Sequence, residues 1–87
     1  MNREDVESVE LGKPGKEVSV TTGKPTSYSV AGLADHLQAK IVIAFGGVYK
    51  YELVRTGDRL PYVQEQGSPT PEAALEALKN LLNWDPA

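Results

Sequence analysis

The stretch KIVIAFGGVYKYELVR, Lys40 to Arg55, governs the architecture. Lys40 to Phe45 is rich in β-branched residues, Gly46 and Gly47 supply the positive φ values of a hairpin turn, and Val48 to Arg55 resumes a strand pattern. A turn made of Gly46 and Gly47 alone sets Phe45 opposite Val48. Ile41, Ile43, Phe45, Val48 and Val54 then share one face with Lys50 and Glu52, and Val42, Ala44, Tyr49, Tyr51 and Leu53 share the other. Both faces are apolar enough to need cover, which calls for elements on each side of the sheet or for a partner on one of them.

Working outward from the hairpin, Thr56, Gly57 and Asp58 form a second turn. Residues 59–66 return as a third strand, with Leu60, Tyr62 and Gln64 on one face. Pro61 has no ladder N–H and puts that strand at an edge or a bulge. Thr70 then caps a helix that opens on Pro71 and Glu72 and carries the stripe Ala74, Leu75, Leu78, Leu81 and Leu82. On the amino-terminal side, Val30, Leu33 and Leu37 fall at i, i+3 and i+7, which predicts a short helix over 29–39. Ser29 or Ser27 caps it, and Gly32 weakens it by about 1 kcal/mol relative to Ala. The alternation in 17–21, with Val18 and Val20 between polar residues, offers an additional strand. Residues 1–16 mix acidic residues with Pro14 and Gly15 and read as a flexible acidic segment, within which Val6, Val9 and Leu11 form a short docking element. The expected fold is therefore α+β over 17–87. It is a small antiparallel three-stranded meander with a short amino-terminal helix and a carboxy-terminal helix packed on one face.

Eighty-seven residues fit one domain with one core. With 40% hydrophobic and 24% charged residues the chain has a globular composition, which excludes wholesale disorder. No cysteine is present, so disulfides, thiolate catalysis and sulfur-ligated metal sites are excluded and a reducing, cytoplasmic setting is expected. A single histidine does not meet the multi-histidine ligation of most catalytic metal sites. The first ten residues hold Glu4, Asp5, Glu7 and Glu10 against Arg3, unlike a secretory signal, and the apolar run Ile41 to Phe45 is far short of the roughly 20 residues that span a bilayer. Charge is unevenly spread. Both ends are acidic, while the middle carries Lys13, Lys16, Lys24, Lys40, Lys50, Arg55 and Arg59 against fewer carboxylates.

Several motifs reduce to structure. The segment YSVAGLADHL, 28–37, has the look of the first helix of a helix-turn-helix, but the β-rich residues after it and the Gly46–Gly47 pair deny it a recognition helix. Asp35 and His36 are adjacent, and neighbouring helical residues point about 100° apart, so they do not make a base with its orienting carboxylate. Gly46 and Gly47 lack the following helix and Lys-Ser/Thr of a phosphate loop. Tyr49, Tyr51, Tyr62 and Trp84 are read as core or core-edge aromatics facing the Leu-rich helix rather than as a base-stacking platform.

With Tyr49 and Tyr51 in a strand and the closing segment Gly67 to Leu78 turning into an Ala/Leu-rich helix, the chain from Ser29 onward resembles the αβββα arrangement of double-stranded-RNA-binding domains and of HicB-type antitoxins. The resemblance is one of topology and covers about two thirds of the chain. The RNA-binding family places lysines at the start of its last helix to reach phosphates. Pro71 and Glu72 stand there in this sequence, so the resemblance does not carry RNA binding with it. For the HicB type it implies at most the partner-binding half.

These observations point to a non-catalytic protein–protein binding module, an accessory, inhibitor or antitoxin-like protein. Its partner or self-association site is expected at Ile43, Phe45, Val48, Lys50 and Glu52. The alternative is a nucleic-acid-binding module that uses Lys40, Lys50, Arg55 and Arg59 around the weakly basic central hairpin. No catalytic residue, metal, cofactor or membrane partner is expected.

Overall fold

The central hairpin forms, but its loop holds three residues rather than two. In the computed structural model, which describes residues 3–84, β3 (Leu37–Ile43) and β4 (Tyr49–Arg55) run antiparallel. Ile43 lies opposite Tyr49, Ile41 opposite Tyr51 and Ala39 opposite Leu53. The Ala44 N–H donates to the Val48 carbonyl at 2.6 Å, and the Gly47 N–H donates to the Ala44 carbonyl at 3.1 Å. Gly46, with φ 90°, holds the third position of a type II turn, where a positive φ is required. Ala44 pairs with Val48, so Phe45, expected in the strand, joins Gly46 and Gly47 in the loop.

One added residue reverses the faces of one strand relative to the other. The expected mixture of Ile41, Ile43, Lys50 and Glu52 on one face does not occur. Leu37, Ala39, Ile41 and Ile43 instead stand with Tyr49, Tyr51 and Leu53, and the opposite face carries Gln38, Lys40, Val42, Lys50, Glu52 and Val54. The result is a one-sided antiparallel sheet, apolar within and mixed outside.

The sheet is wider than the expected three-stranded meander. Its five strands lie in sequence order, β1 (Glu10–Pro14), β2 (Ser27–Ala31), β3, β4 and β5 (Tyr62–Val63). The helix expected over 29–39 is absent. Ser27 to Ala31 forms β2, and Leu33 to His36 turn the chain into β3. The i, i+3, i+7 spacing of Val30, Leu33 and Leu37 is met by strand, turn and strand, with Tyr28 and Val30 alternating inward and Gly32 at φ 85° ending the run. A Cβ at Gly32 would collide with the Ser8 carbonyl oxygen, so that turn is packed directly on the backbone before β1. The αβββα order therefore does not describe this chain.

The strand expected over 17–21 also lies elsewhere. Residues 15–26 extend the β1–β2 hairpin as an arm, joined by the Thr26 N–H to the Glu17 carbonyl at 3.1 Å and the Ser19 N–H to the Lys24 carbonyl at 2.8 Å. Val18 pairs only in an isolated bridge with Pro25, and Val20 sits at the arm's tip. The amino-terminal stretch, read as a flexible segment, is built into the domain. After α1 (Arg3–Glu7), β1 joins the sheet, and Val6 and Val9 are 2% and 1% exposed, as a docking element requires. The third strand of the expected meander shrinks to Tyr62 and Val63, beside Pro61.

The carboxy-terminal helix α2 (Pro71–Trp84) follows its sequence signals. The Thr70 Oγ1 accepts the Ala73 N–H at 3.0 Å, an N-cap bond that satisfies one of the helix's unpaired donors. Ala74, Leu78 and Leu82 are buried in one cluster with Ile41, Tyr49, Tyr51 and Leu53. The helix packs chiefly on β4, with lesser contact to β1 and β3, and α1 packs beside it. Both helices thus lie on the inner face.

Candidate interaction surface

The register assigns the outer face row by row. Ser29, Lys40, Glu52 and Val63 are successive cross-strand partners from β2 to β5, and Ser27, Val42 and Lys50 form the adjoining row. Gln38 and Val54 face each other one step beyond. Among the described residues no helix or further strand covers this face, because α1 and α2 are both committed to the inner one. The sequence builds the difference through alternation in β4, where Tyr49, Tyr51 and Leu53 go inward and Lys50, Glu52 and Val54 outward.

Both lysines of the outer face are engaged, one by a carboxylate and one by a backbone carbonyl. Lys40 Nζ lies 3.4 Å from a Glu52 carboxylate oxygen, and Lys50 Nζ donates to the Glu65 carbonyl at 3.2 Å. The Lys40 side chain is 60% exposed, so the pair contributes at most about 1 kcal/mol in water. It gains strength only if a partner excludes solvent from it. Beside the pair, Gln38, Lys40, Glu52, Val54 and Pro61 line a shallow open groove between β3 and the approach to β5. Val54 is half-buried, while Leu60, Pro61 and Val63 are exposed. An apolar strip with charges along one side is a common composition for a contact surface.

A polar bridge holds β5 and the approach to α2 against β4. The Gln64 Oε1 accepts the Tyr51 N–H at 3.3 Å, its Nε2 donates to the Ser68 Oγ at 2.9 Å, and its own N–H donates to the Tyr51 carbonyl at 3.1 Å. Ser68 is the buried polar residue of this bridge. Burial pushes the Tyr51 phenol above its ordinary pKa, and Tyr62 and the Glu65 carboxylate raise it further. Tyr51 is therefore a neutral core residue at physiological pH, and Tyr49 is buried with it as expected, whereas Tyr62, also expected at the core or its edge, is 60% exposed on the short edge strand β5.

The five residues expected to form a partner site do not share a face. Ile43 lies on the inner face, Phe45 stands at the apex of the hairpin, Val48 is half-buried below it, and Lys50 and Glu52 are outside. The four cations of the nucleic-acid alternative do not gather either. Lys40 and Lys50 lie on the outer face and already engage Glu52 and Glu65. Arg55 stands across from Leu37 at the far end of β4, and Arg59 lies beyond it in the connection to β5. Lys50 and Arg55 are thus separated by roughly 17 Å along one strand. Sequence reasoning placed Val54 with Lys50 and Glu52 by alternation within one strand, but it did not single out Pro61 or Val63 as companions of Glu52, because that grouping depends on the pairing of β4 with β5.

No family model, curated protein or solved structure matches the chain. Among the described residues no group of three or more His, Cys, Asp or Glu side chains is placed to hold a metal ion, and no helix is long and apolar enough to cross a membrane.

Proposed function

We propose that this protein is a non-catalytic binding module that docks another protein chain, or a second copy of itself, on the outer face of its sheet, as an accessory or inhibitor protein of the cytoplasm. One observation carries the reading. Both helices pack on the inner face, leaving Val54, Pro61 and Val63 uncovered beside the Lys40–Glu52 pair on a rigid sheet. Lys50 and Glu52 keep the roles expected for them, and Ile43 gives up its place to Val54. A lack of cysteine suits the cytoplasmic setting.

The edges of the sheet favour a face over strand addition. At β5 the N–H of Gln64 points to Tyr51, so by alternation Val63 presents its backbone outward, next to Pro61, which has no N–H to give. At β1 the register slips between Leu11 and Pro14, which breaks the edge ladder. The test is affinity capture from the native host with mass spectrometry, together with sedimentation of the purified chain. Val54→Asp is expected to abolish the captured partner or the self-association while leaving the melting temperature unchanged. Equal capture and equal association by parent and variant would refute the reading.

A further inference from the structure

The β1–β2 and β3–β4 connections emerge at the same end of an antiparallel sheet whose strands lie in sequence order. Each carries an apolar side chain at its tip. Val20 is 103% exposed at the end of the arm, and Phe45 is 104% exposed on the hairpin turn, which means that neither touches any neighbour that shields it. Val18, 56% exposed, lies lower on the same arm. On the arm and the strand end that carries it, Lys13, Lys16 and Lys24 outnumber Glu17, whereas the chain as a whole is acidic, at −3; Lys50, Glu65 and Glu72 lie beside the start of β4 at the same end.

We propose that this end of the domain docks on an anionic lipid surface, with Phe45 and Val20 entering the interface and the lysines of the arm facing the headgroups. The geometry favours a lipid surface over a protein groove. Two separate apices with no shielding neighbours fit a protein only if a matching pair of pockets exists at their spacing, whereas a fluid bilayer receives them at any spacing. Apolar burial and lysine attraction to anionic headgroups act together in such docking. The site is distinct from the outer face, so the two readings stand or fall separately.

The experiment is co-sedimentation of the full chain with vesicles of phosphatidylglycerol and phosphatidylcholine in equal parts, against vesicles of phosphatidylcholine alone. Binding is expected on the anionic vesicles only and should weaken as salt is raised. Phe45→Ser and Val20→Ser should each reduce it by roughly tenfold, and Lys16→Gln with Lys24→Gln by at least about tenfold. All variants should melt with the parent. No binding, equal binding to neutral vesicles, or binding untouched by Phe45→Ser would overturn the proposal. So would a lowered melting temperature of the serine variants, which would place those side chains in the core. A protein captured through Phe45 without vesicle binding would assign the tip to a protein instead.

Discussion

Ile41 and Tyr51 face each other across β3 and β4 as a non-hydrogen-bonded pair. The Tyr51 carbonyl and N–H are both spent on Gln64 of the neighbouring segment, so its backbone turns away from Ile41 and the two side chains meet at the closest cross-strand approach. Ile41 is fully buried and Tyr51 nearly so, and the helix residue Leu78 belongs to the same cluster. This contact joins the sheet to α2.

Removing Leu78 should therefore be costly. Leu78→Ala leaves a cavity under α2 and is expected to lower stability by about 2 to 5 kcal/mol, a large share of what a small domain possesses. Chemical denaturation measures it, and an unchanged midpoint would mean that α2 does not pack on β4.

Gly32 is constrained twice, by its φ of 85° and by the Ser8 carbonyl that an added Cβ would strike. Gly32→Ala is expected to destabilise by more than the roughly 1 kcal/mol of an ordinary left-handed glycine, because the chain before β1 must also move. Were 29–39 helical, the same substitution would stabilise the protein. The sign of the shift in melting temperature separates the two conformations.

The raised pKa of Tyr51 sets an alkaline limit. The unfolded phenol loses its proton near 10.0, while the folded one holds it to higher pH, so the folded state binds more protons in that window. Stability contributed by the neutral, buried phenol is complete below about pH 10 and falls as pH rises through the folded pKa. Melting temperature followed across that range should drop less steeply for Tyr51→Phe than for the parent.

How much was legible follows from the kind of signal each element has. The Thr70 cap, Pro71 and the Ala74–Leu78–Leu82 stripe are local, and α2 forms where they place it. The hairpin is equally local, but its register hangs on whether Phe45 belongs to the strand or to the loop, and glycines on either side of that choice look alike. The segment 29–39 satisfies helical and strand spacing at once. Only pairing of Tyr28 with Ile41 and packing of Gly32 on Ser8 favour the strand, and both are long-range. The candidate surface inherits this dependence. Lys50, Glu52 and Val54 share a face by alternation alone, but Val63 joins them and Ile43 leaves them only once the register is known.

The register is thus the point on which the account turns, and NMR cross-strand contacts between α-protons measure it directly. In a non-hydrogen-bonded antiparallel pair these protons are in closest approach. The account predicts strong contacts between Ile41 and Tyr51, Ile43 and Tyr49, and Ala39 and Leu53. A strong contact between Val42 and Tyr51, as a two-residue Gly46–Gly47 turn requires, would contradict it and return Ile43 to the face of Lys50 and Glu52.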